Sequence, residues 1–231
     1  MRWPGNDQRH RVRLEGQQVS SGYHDSRLAY DGRRDTVWKA LWRHYFRAIV
    51  PADGCVLDLG CGYGEFINNV TARRRIGLDL WADIGKHLAS GVESIVASVT
   101  DLAAIDDNSV DFAFASNLFE HIPQEALVAT LAQLRSKLTV RGTLTVLQPN
   151  YRYAYREYFD DYTHVAVYSH ISLADLLSAN GWHVIEVRPR FLPLTVKSSL
   201  PVSQWLIALY LRLPFKPLGK QMLLRARPIP Q

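Results

Sequence analysis

An apolar strand that runs directly into three alternating glycines is the feature that most constrains the fold of this chain. The strand ends in residues 56–59, Val-Leu-Asp-Leu, and Gly60, Gly62 and Gly64 follow it. Glycines lack a Cβ atom, so they let the backbone turn tightly and approach a ligand. A helix directly after the turn would offer its unpaired N–H groups and positive dipole to a carboxylate. The segment therefore predicts a strand, a ligand-binding turn and a helix.

Apolar runs and helical patterns alternate along the rest of the chain. The strands are predicted near residues 55–59, 76–79, 94–97, 111–115, 143–147, 182–187 and 222–226. The helices are predicted within residues 35–50 and near residues 65–72, 82–89, 124–138 and 172–180, the last with a capping box of Ser172 and Asp175 and a terminating Gly181. This alternation predicts a doubly wound, Rossmann-like α/β fold, with a seven-stranded, mostly parallel sheet and helices on both faces. Such sheets bind ligands at the carboxyl ends of their strands.

Chain length and cysteine content favour one domain in a reducing compartment. The chain has 231 residues, of which 47% are hydrophobic. We expect a flexible N-terminal arm at residues 1–22 and a single domain at residues 23–231, with an insertion at about residues 189–219 between the sixth and seventh strands. Cys55 and Cys61 do not form the pattern of a disulfide framework, and residues 1–22 lack the apolar core of a signal peptide. A cytoplasmic location is therefore expected.

Positive charge and apolar residues meet in the last fifth of the chain. Residues 187–231 hold eight Lys or Arg and no Asp or Glu, while the whole chain carries a net charge of +5. Residues 205–213 form a short apolar helical pattern there, shorter than the roughly 18 residues that a membrane span needs. This combination predicts that residues 203–220 make a peripheral contact with the inner membrane face. A helix that covers the sheet and a homodimer contact are the alternatives.

The spacing of the glycines argues against a dinucleotide-binding protein. A dinucleotide fingerprint needs a third glycine three residues after Gly62, but that position is Glu65. In addition, the acidic residue Asp58 stands two positions before Gly60. NAD is therefore rejected as the cofactor.

With Asp58 before its glycines, the segment resembles the first motif of the class I S-adenosylmethionine-dependent methyltransferases, acidic-x-Gly-x-Gly-x-Gly. Asp79 ends the next strand, where the family binds both ribose hydroxyls, and Asp101 with Leu102 matches the family's adenine-binding pair. Residues 110–117 resemble the fourth strand of the family, which faces the methionine end of the cofactor. The resemblance implies S-adenosylmethionine as the cofactor. The residues it implies in the cofactor site are Asp58, Gly60, Cys61, Gly62, Gly64, Phe66, Asp79, Leu80, Asp101, Leu102 and Asn117.

Two histidines are candidates for the catalytic base. A hydroxyl acceptor must lose its proton as the new bond forms, and histidine suits this role near neutral pH. His121 follows the predicted fourth strand and His164 follows the fifth, so both belong to the carboxyl edge of the sheet. His164 is the first choice, because it follows an aromatic loop, residues 151–162, that suits an acceptor. A structural role, at a helix start for His121 and in a loop for His164, stays open.

The aromatic loop holds tyrosines with flanking charged residues, which suits a sugar or an aromatic acceptor. Its candidate substrate-binding residues are Tyr151, Tyr153, Tyr158 and Tyr162. Packing of these rings against the domain is the alternative. No metal is predicted, because the metal-dependent catechol-type branch of the family has an Asp near the end of the fourth strand, where this chain has Asn117.

Together these patterns predict an O-methyltransferase of a sugar, a lipid-linked glycan or a small natural product. Residues 147–150, 190–193 and 219–221 look most like bacterial methyltransferases of glycan and secondary-metabolite pathways. The alternatives are an N-methyltransferase of a small molecule and a non-catalytic, cofactor-binding partner subunit. No nucleic-acid partner is expected, because residues 117–120 lack the Asn-Pro-Pro-Tyr type of signature of base amino methylation.

Overall fold

A computed structural model describes residues 32–193 and 203–230 of the chain. In these residues, seven strands form one sheet in the order β3-β2-β1-β4-β5-β7-β6. The strands are β1 (Cys55–Leu59), β2 (Arg74–Asp79), β3 (Val92–Val96), β4 (Val110–Ser116), β5 (Leu138–Pro149), β6 (Trp182–Pro193) and β7 (Gly219–Pro228). β1 to β5 pair in parallel, and β7 runs antiparallel between β5 and β6. The predicted seven-stranded, mostly parallel Rossmann-like sheet is confirmed.

The described residues contain five α-helices. They are α1 (Gly32–His44), α2 (Gln124–Lys137), α3 (Tyr151–Ala154), α4 (His170–Ala179) and α5 (Gln204–Arg212). None of these helices is both long enough and apolar enough to cross a membrane. The predicted N-terminal arm at residues 1–22 lies outside the described residues.

Buried apolar residues form two clusters, one on each face of the sheet. β1 shows the division, because Leu57 and Leu59 belong to one cluster and Val56 to the other. Successive residues of a strand point to opposite faces, so a strand covered on both sides must be apolar throughout. α2 covers the first face, while α1 and α5 pack on the second. Each fully buried Leu or Val contributes about 1.5–3 kcal/mol relative to an exposed one.

Two of the predicted helices are each reduced to a single 3-10 turn, at Ile67–Asn69 and Ile84–Lys86. In the first, a side-chain amide competes with helical backbone bonding, since Asn69 Nδ2 donates at 2.8 Å to the carbonyl of Glu65, which a helix would use for the N–H of Asn69. That N–H donates to the carbonyl of Phe66 instead. No α-helix follows the glycine turn in this described part of the chain. The predicted contribution of a helix dipole at the turn is therefore wrong.

Some element boundaries also differ from the predicted ones. The capping box of α4 is formed by Ser169 and Ser172, not by Ser172 and Asp175, because Ser169 has the extended backbone that precedes a helix. Gly181 follows α4 at a φ of 80°, which agrees with the predicted end. β6 extends to Pro193 and β7 starts at Gly219, so the connection between them is shorter than predicted.

The carboxyl ends of β1, β2, β4 and β5 lie along one edge of the sheet, because these strands are parallel neighbours. β7 starts at the same edge, since Gln221 pairs with Pro149 at the end of β5. The glycine turn, the end of β2, the segment after β4 and the aromatic loop therefore meet there. This is the edge at which α/β sheets bind ligands.

Candidate active site

The glycine turn has the left-handed backbone that its sequence predicts. Gly60, Gly62 and Gly64 have φ values of 66°, 51° and 72°. The backbone N–H of Gly60 donates to the carbonyl of Leu78 at 2.8 Å, which ties the turn to β2. A Cβ atom on Gly60 would lie 2.9 Å from Cδ1 of Leu118, so both the backbone and the available space require glycine. The turn is thus fixed between β2 and the segment after β4.

Asp79 is held in place by two backbone donors. Its Oδ2 accepts from the N–H of Gly62 and its Oδ1 accepts from the N–H of Trp81, both at 2.9 Å. The rings of Trp81 and His87 stack 4.7 Å apart beside this carboxylate, and Tyr63 meets Trp81 edge-on at 5.0 Å. A fixed carboxylate next to a Cβ-free turn suits a ligand with a pair of hydroxyl groups. A carboxylate oxygen can accept more than one hydrogen bond.

Asp58 lies behind the turn, in the interior of β1. Burial raises the pKa of Asp58 well above its usual range, and the charges of Glu65 and Asp79 raise it further, while the N–H of Ile67 opposes the shift. Glu65 forms an ion pair of 2.9 Å with Nε of Arg34 in α1. Burial also raises the pKa of Glu65, against the effect of Arg34. α1 therefore covers the outside of the turn with a cation that balances the buried acids.

Several predicted cofactor residues do not present their side chains to an open site. The ring of Phe66 is buried against Phe114, with centroids 4.1 Å apart, in the cluster under α1. Leu102 is fully buried in the opposite cluster. Cys61 is buried, and burial raises the pKa of its thiol, so it stays neutral. By contrast, Leu80 is 48% exposed and Asp101 is exposed, so both remain accessible from solvent.

Asn117 occupies the end of β4 in a left-handed conformation, with a φ of 47°. Its backbone N–H donates to the carbonyl of Leu147 at 2.8 Å. Its Oδ1 accepts from Nε2 of Gln221 in β7, at 2.9 Å. Sequence reasoning missed Gln221, although a polar residue at the start of an apolar strand was a signal. β7 thus sets the orientation of Asn117.

His121 and His164 lie side by side beyond the ends of β4 and β5, with ring centroids 4.8 Å apart. Nδ1 of His121 lies 2.9 Å from Oγ1 of Thr163, and this hydroxyl donates to Oδ1 of Asp161 at 2.6 Å. Nδ1 of His164 lies 2.5 Å from the carbonyl oxygen of Tyr158. Each Nδ1 must therefore carry the proton and donate. The lone pair of each neutral ring is then on Nε2, where it can accept a proton.

Glu120 stands next to the histidine pair and is fully buried. Neither carboxylate oxygen has a hydrogen-bond partner among the described residues. Burial raises the pKa of Glu120 to about 8, with a further contribution from Asp161. Burial, followed by the charge of His164, lowers the pKa of His121 to about 4. Glu120, His121 and His164 bring ligand-type atoms within 4.8 Å of one another, a juxtaposition that sequence reasoning did not assemble.

The four tyrosines of the aromatic loop have different surroundings. Tyr158 is buried, and its hydroxyl donates to the carbonyl of Ala166 at 2.7 Å, so it packs the loop instead of facing an acceptor. Tyr151 meets the ring of Tyr158 edge-on at 5.2 Å. The guanidinium of Arg190 lies over the ring of Tyr153, with its Cζ 4.1 Å from the ring centroid. Tyr162 is 71% exposed.

This sheet order, glycine turn and fixed strand-end acid define a class I S-adenosylmethionine-dependent methyltransferase. Comparison with known proteins agrees, because the profile of the family described as methyltransferase domain matches residues 30–187. The chain belongs to this family. Its cofactor is S-adenosylmethionine, and the fixed Asp79 carboxylate beside the glycine turn fits the ribose of that cofactor.

The chain is also similar to individual proteins. An uncharacterized protein of Methanocaldococcus jannaschii is 27% identical over 172 residues, which are 74% of this chain and 72% of the relative. The complex between the Haloferax volcanii Trm112 methyltransferase activator and a methyltransferase gives a TM-score of 0.67 at 17% identity, over 94% of this chain and 97% of the matched chain. The 1,6-didemethyltoxoflavin-N1-methyltransferase of Burkholderia thailandensis was solved with bound 1,6-didemethyltoxoflavin and S-adenosylhomocysteine. It gives a TM-score of 0.60 at 18% identity, over 100% of this chain and 93% of the matched chain. The two solved structures share the fold of this chain.

Proposed function

We propose that this methyltransferase acts on a hydroxyl group of a sugar, a lipid-linked glycan or a small natural product. The observation that carries the proposal is the contact between His121 and His164 at the ligand-binding edge of the sheet. Transfer to oxygen requires removal of a proton, and these rings present a basic nitrogen there. An amine acceptor that is already neutral would need no such pair.

His164 is proposed as the proton acceptor. The pKa of about 4 makes His121 a weak base near neutral pH, because burial disfavours its charged form. The carbonyl of Tyr158 holds the tautomer of His164 that has its lone pair on Nε2. His121 then acts as a positioning residue, since Thr163 and Asp161 fix its ring against that of His164. The acceptor hydroxyl loses its proton to Nε2 of His164 as its oxygen attacks.

The cofactor site is proposed to consist of the glycine turn and the strand ends. S-adenosylmethionine supplies the methyl group as a sulfonium. Asp79 would accept from both ribose hydroxyls, and Asp101 from the adenine amino group. Asn117, held by Gln221, would contact the methionine end. Asp58 and Phe66 support the turn from behind, since both are buried.

Tyr151, Tyr153 and Tyr162 are proposed to bind the acceptor. Tyr162 is available to solvent, while Arg190 and His170 lie against the ring of Tyr153, so Tyr153 would contact an acceptor through its edge or hydroxyl. Both tyrosines lie on the loop that ends at His164. An acceptor held here would have its hydroxyl within reach of the histidine pair.

A peripheral membrane contact through residues 203–220 is also proposed. α5 packs Ile207, Tyr210 and Leu211 against the core, but its other side and the following loop leave Trp205 71% and Phe215 86% exposed. Arg212 is exposed next to them. Exposed aromatic residues beside cations suit an anionic membrane surface.

The test of the function supplies S-adenosylmethionine with a 13C-labelled methyl group, together with purified protein, to lipid, glycan and small-molecule extracts. NMR of the labelled product identifies the atom that carries the methyl group. A methyl group on oxygen is the expected result. A methyl group on nitrogen or carbon would overturn O-methylation, and cofactor binding without any labelled product would favour the partner-subunit alternative.

A further inference from the structure

A cavity of about 400 Å³ lies between the end of β6 and the segment after α5. Its cationic lining consists of Arg188, Arg190, Arg212 and Lys216, and its apolar lining of Val187, Pro189, Leu211, Leu213 and Pro214. The lining contains no acidic residue. Both sides of the cavity therefore combine positive charge with apolar surface. Neither the cofactor site nor the histidine pair uses this cavity.

The positive charge of the cavity is only partly balanced. Glu186 is the nearby acid, and it accepts from Arg188 Nε at 2.5 Å and from Arg225 at 3.2 Å, so one carboxylate serves two arginines. Lys216 Nζ donates to the carbonyl of Tyr210 at 2.6 Å instead of pairing with an acid. Burial, and then the charge of Arg188, lowers the pKa of Lys216. Like charges held this close favour a site that an anion can occupy.

Two of the arginines are available to such an anion. Arg190 and Arg212 are exposed, and neither forms an ion pair with another described residue. The guanidinium of Arg190 instead lies over the ring of Tyr153. Arginine presents several N–H donors in a fixed plane, which matches the oxygens of a phosphate. Two arginines and a lysine around one cavity give a donor set for a phosphate or a diphosphate.

The cavity is also next to the aromatic loop. Asn150, at the start of α3, donates from Nδ2 to the carbonyl of Pro189 at 2.9 Å. Pro189 and Arg190 both line the cavity. Through Asn150 and Tyr153 the cavity thus contacts the loop that leads to His164. An anionic group bound in it would therefore lie beside this loop.

We propose that this cavity binds a phosphate or diphosphate group that joins the sugar of the acceptor to a lipid chain. Arg190, Arg212 and Lys216 would hold the phosphate oxygens. Leu213 and the exposed residues of α5 would receive the start of the lipid chain, and the sugar would extend along the aromatic loop toward the histidine pair. The inference rests on the proposed function and deepens it, because it selects the lipid-linked glycan among the three acceptor classes.

The test measures binding of three probes to the full chain by calorimetry: inorganic pyrophosphate, farnesyl diphosphate and farnesol. Pyrophosphate should bind, farnesyl diphosphate should bind more tightly because its isoprenoid chain buries apolar surface, and farnesol should bind weakly. The double variant Arg190→Gln, Arg212→Gln should lose about tenfold or more in affinity for both diphosphates. Its affinity for S-adenosylhomocysteine should be unchanged, which also shows that it is folded.

A matched control is Arg227→Gln, since Arg227 is exposed and lies near the start of β6, at the opposite edge of the sheet. This variant should bind all probes like the wild type. Equal losses in the control, or full affinity in the double variant, would overturn the cavity as the anion site. Equal affinity for pyrophosphate and farnesyl diphosphate would overturn the lipid link and leave a free phosphate as the ligand.

Failure of this inference differs from failure of the proposed function. If 13C-methyl appears on the oxygen of a phosphate-free molecule, the lipid-linked acceptor is wrong and O-methylation stands. If diphosphates bind as expected but the methyl group enters nitrogen, the cavity stands and O-methylation is wrong.

Discussion

The backbone N–H of Gly62 donates to Oδ2 of Asp79 at 2.9 Å, so the middle glycine of the turn and the acid at the end of β2 form one unit. Replacement of Asp79 should therefore disturb both the turn and the ribose site. Asp79→Ala should weaken the binding of S-adenosylmethionine and S-adenosylhomocysteine at least roughly tenfold, because charged hydrogen bonds contribute about 1.5–3 kcal/mol each. Calorimetry measures both affinities.

Asp107→Ala, which removes an exposed acid paired with Lys137 before β4, is the control and should change neither affinity. Unchanged affinity in the Asp79 variant would refute the ribose assignment.

The histidine pair can be separated by kinetics. His164→Ala should lower turnover by about 10² or more and leave the cofactor affinity nearly unchanged, because a lost base affects the transition state and not the bound cofactor. His121→Ala should have a smaller effect, since Thr163 and Asp161 make it a positioning residue. His183→Ala, at an exposed position on β6, should have none. A larger loss with His121→Ala than with His164→Ala would reverse the two roles, and normal turnover in both variants would contradict O-methylation.

Glu120 should make the stability of the chain depend on pH. Its pKa is about 8 in the folded state and 4.5 for an ordinary Glu, so the folded state retains a proton that the unfolded state has released. Stability should consequently fall as pH rises from about 4.5 to about 8, by up to about 1.4 kcal/mol per pH unit. Glu120→Gln should remove this part of the dependence, as followed by urea unfolding at several pH values. Glu125→Gln, at an exposed position in α2, should retain it. If the free energy of unfolding changes with pH in the same way in the wild type and in Glu120→Gln, then Glu120 is ionised in the folded state.

Removal of metal ions should not affect the enzyme. Asn117 follows β4 at the position where the metal-dependent catechol-type branch of the family has an Asp, and an amide is a weaker ligand than a carboxylate. Dialysis against a chelator should leave turnover unchanged, and metal analysis of the purified protein should find no stoichiometric ion. Loss of turnover that zinc or magnesium restores would instead assign the cluster of Glu120, His121 and His164 to a metal.

The exposed side of α5 should mediate membrane contact. In flotation experiments the protein should associate with vesicles that contain phosphatidylglycerol, and association should weaken as salt rises. Trp205→Ser combined with Phe215→Ser should reduce association. Val140→Ser, which changes an apolar residue that is 90% exposed in β5, should not. Absence of flotation at low salt, together with concentration-dependent dimers in gel filtration, would favour the homodimer contact.

The sheet and the convergence of the two histidines could be predicted from the sequence. Both rest on local signals, because the apolar runs mark the strands and parallel strands bring His121 and His164 to the same edge. The helix after the glycine turn could not be predicted correctly. There, the side-chain amide of Asn69 takes the carbonyl of Glu65, which a helix would need. Only the folded chain shows which competitor prevails.

Other parts of the site depend on contacts between distant segments. Gln221 reaches Asn117 only because β7 inserts between β5 and β6. Arg34 balances Glu65 because α1 packs over the turn. The cavity beside β6 forms where the segment after α5 returns to the sheet. No periodicity or motif encodes these pairings, so a single sequence does not reveal them.

The position of β7 has a consequence for synthesis on the ribosome. β6 pairs only with β7 in this sheet, and β7 is the outer neighbour of β5, so until residues 219–228 have been made β6 is unpaired and β5 has only β4. During translation the nascent chain therefore holds an unpaired β6 and an open edge on β5. Open edges of this kind are sites of mispairing and aggregation. A stalled or shortened chain that lacks β7 should depend on chaperones much more than the chain that contains β7 does.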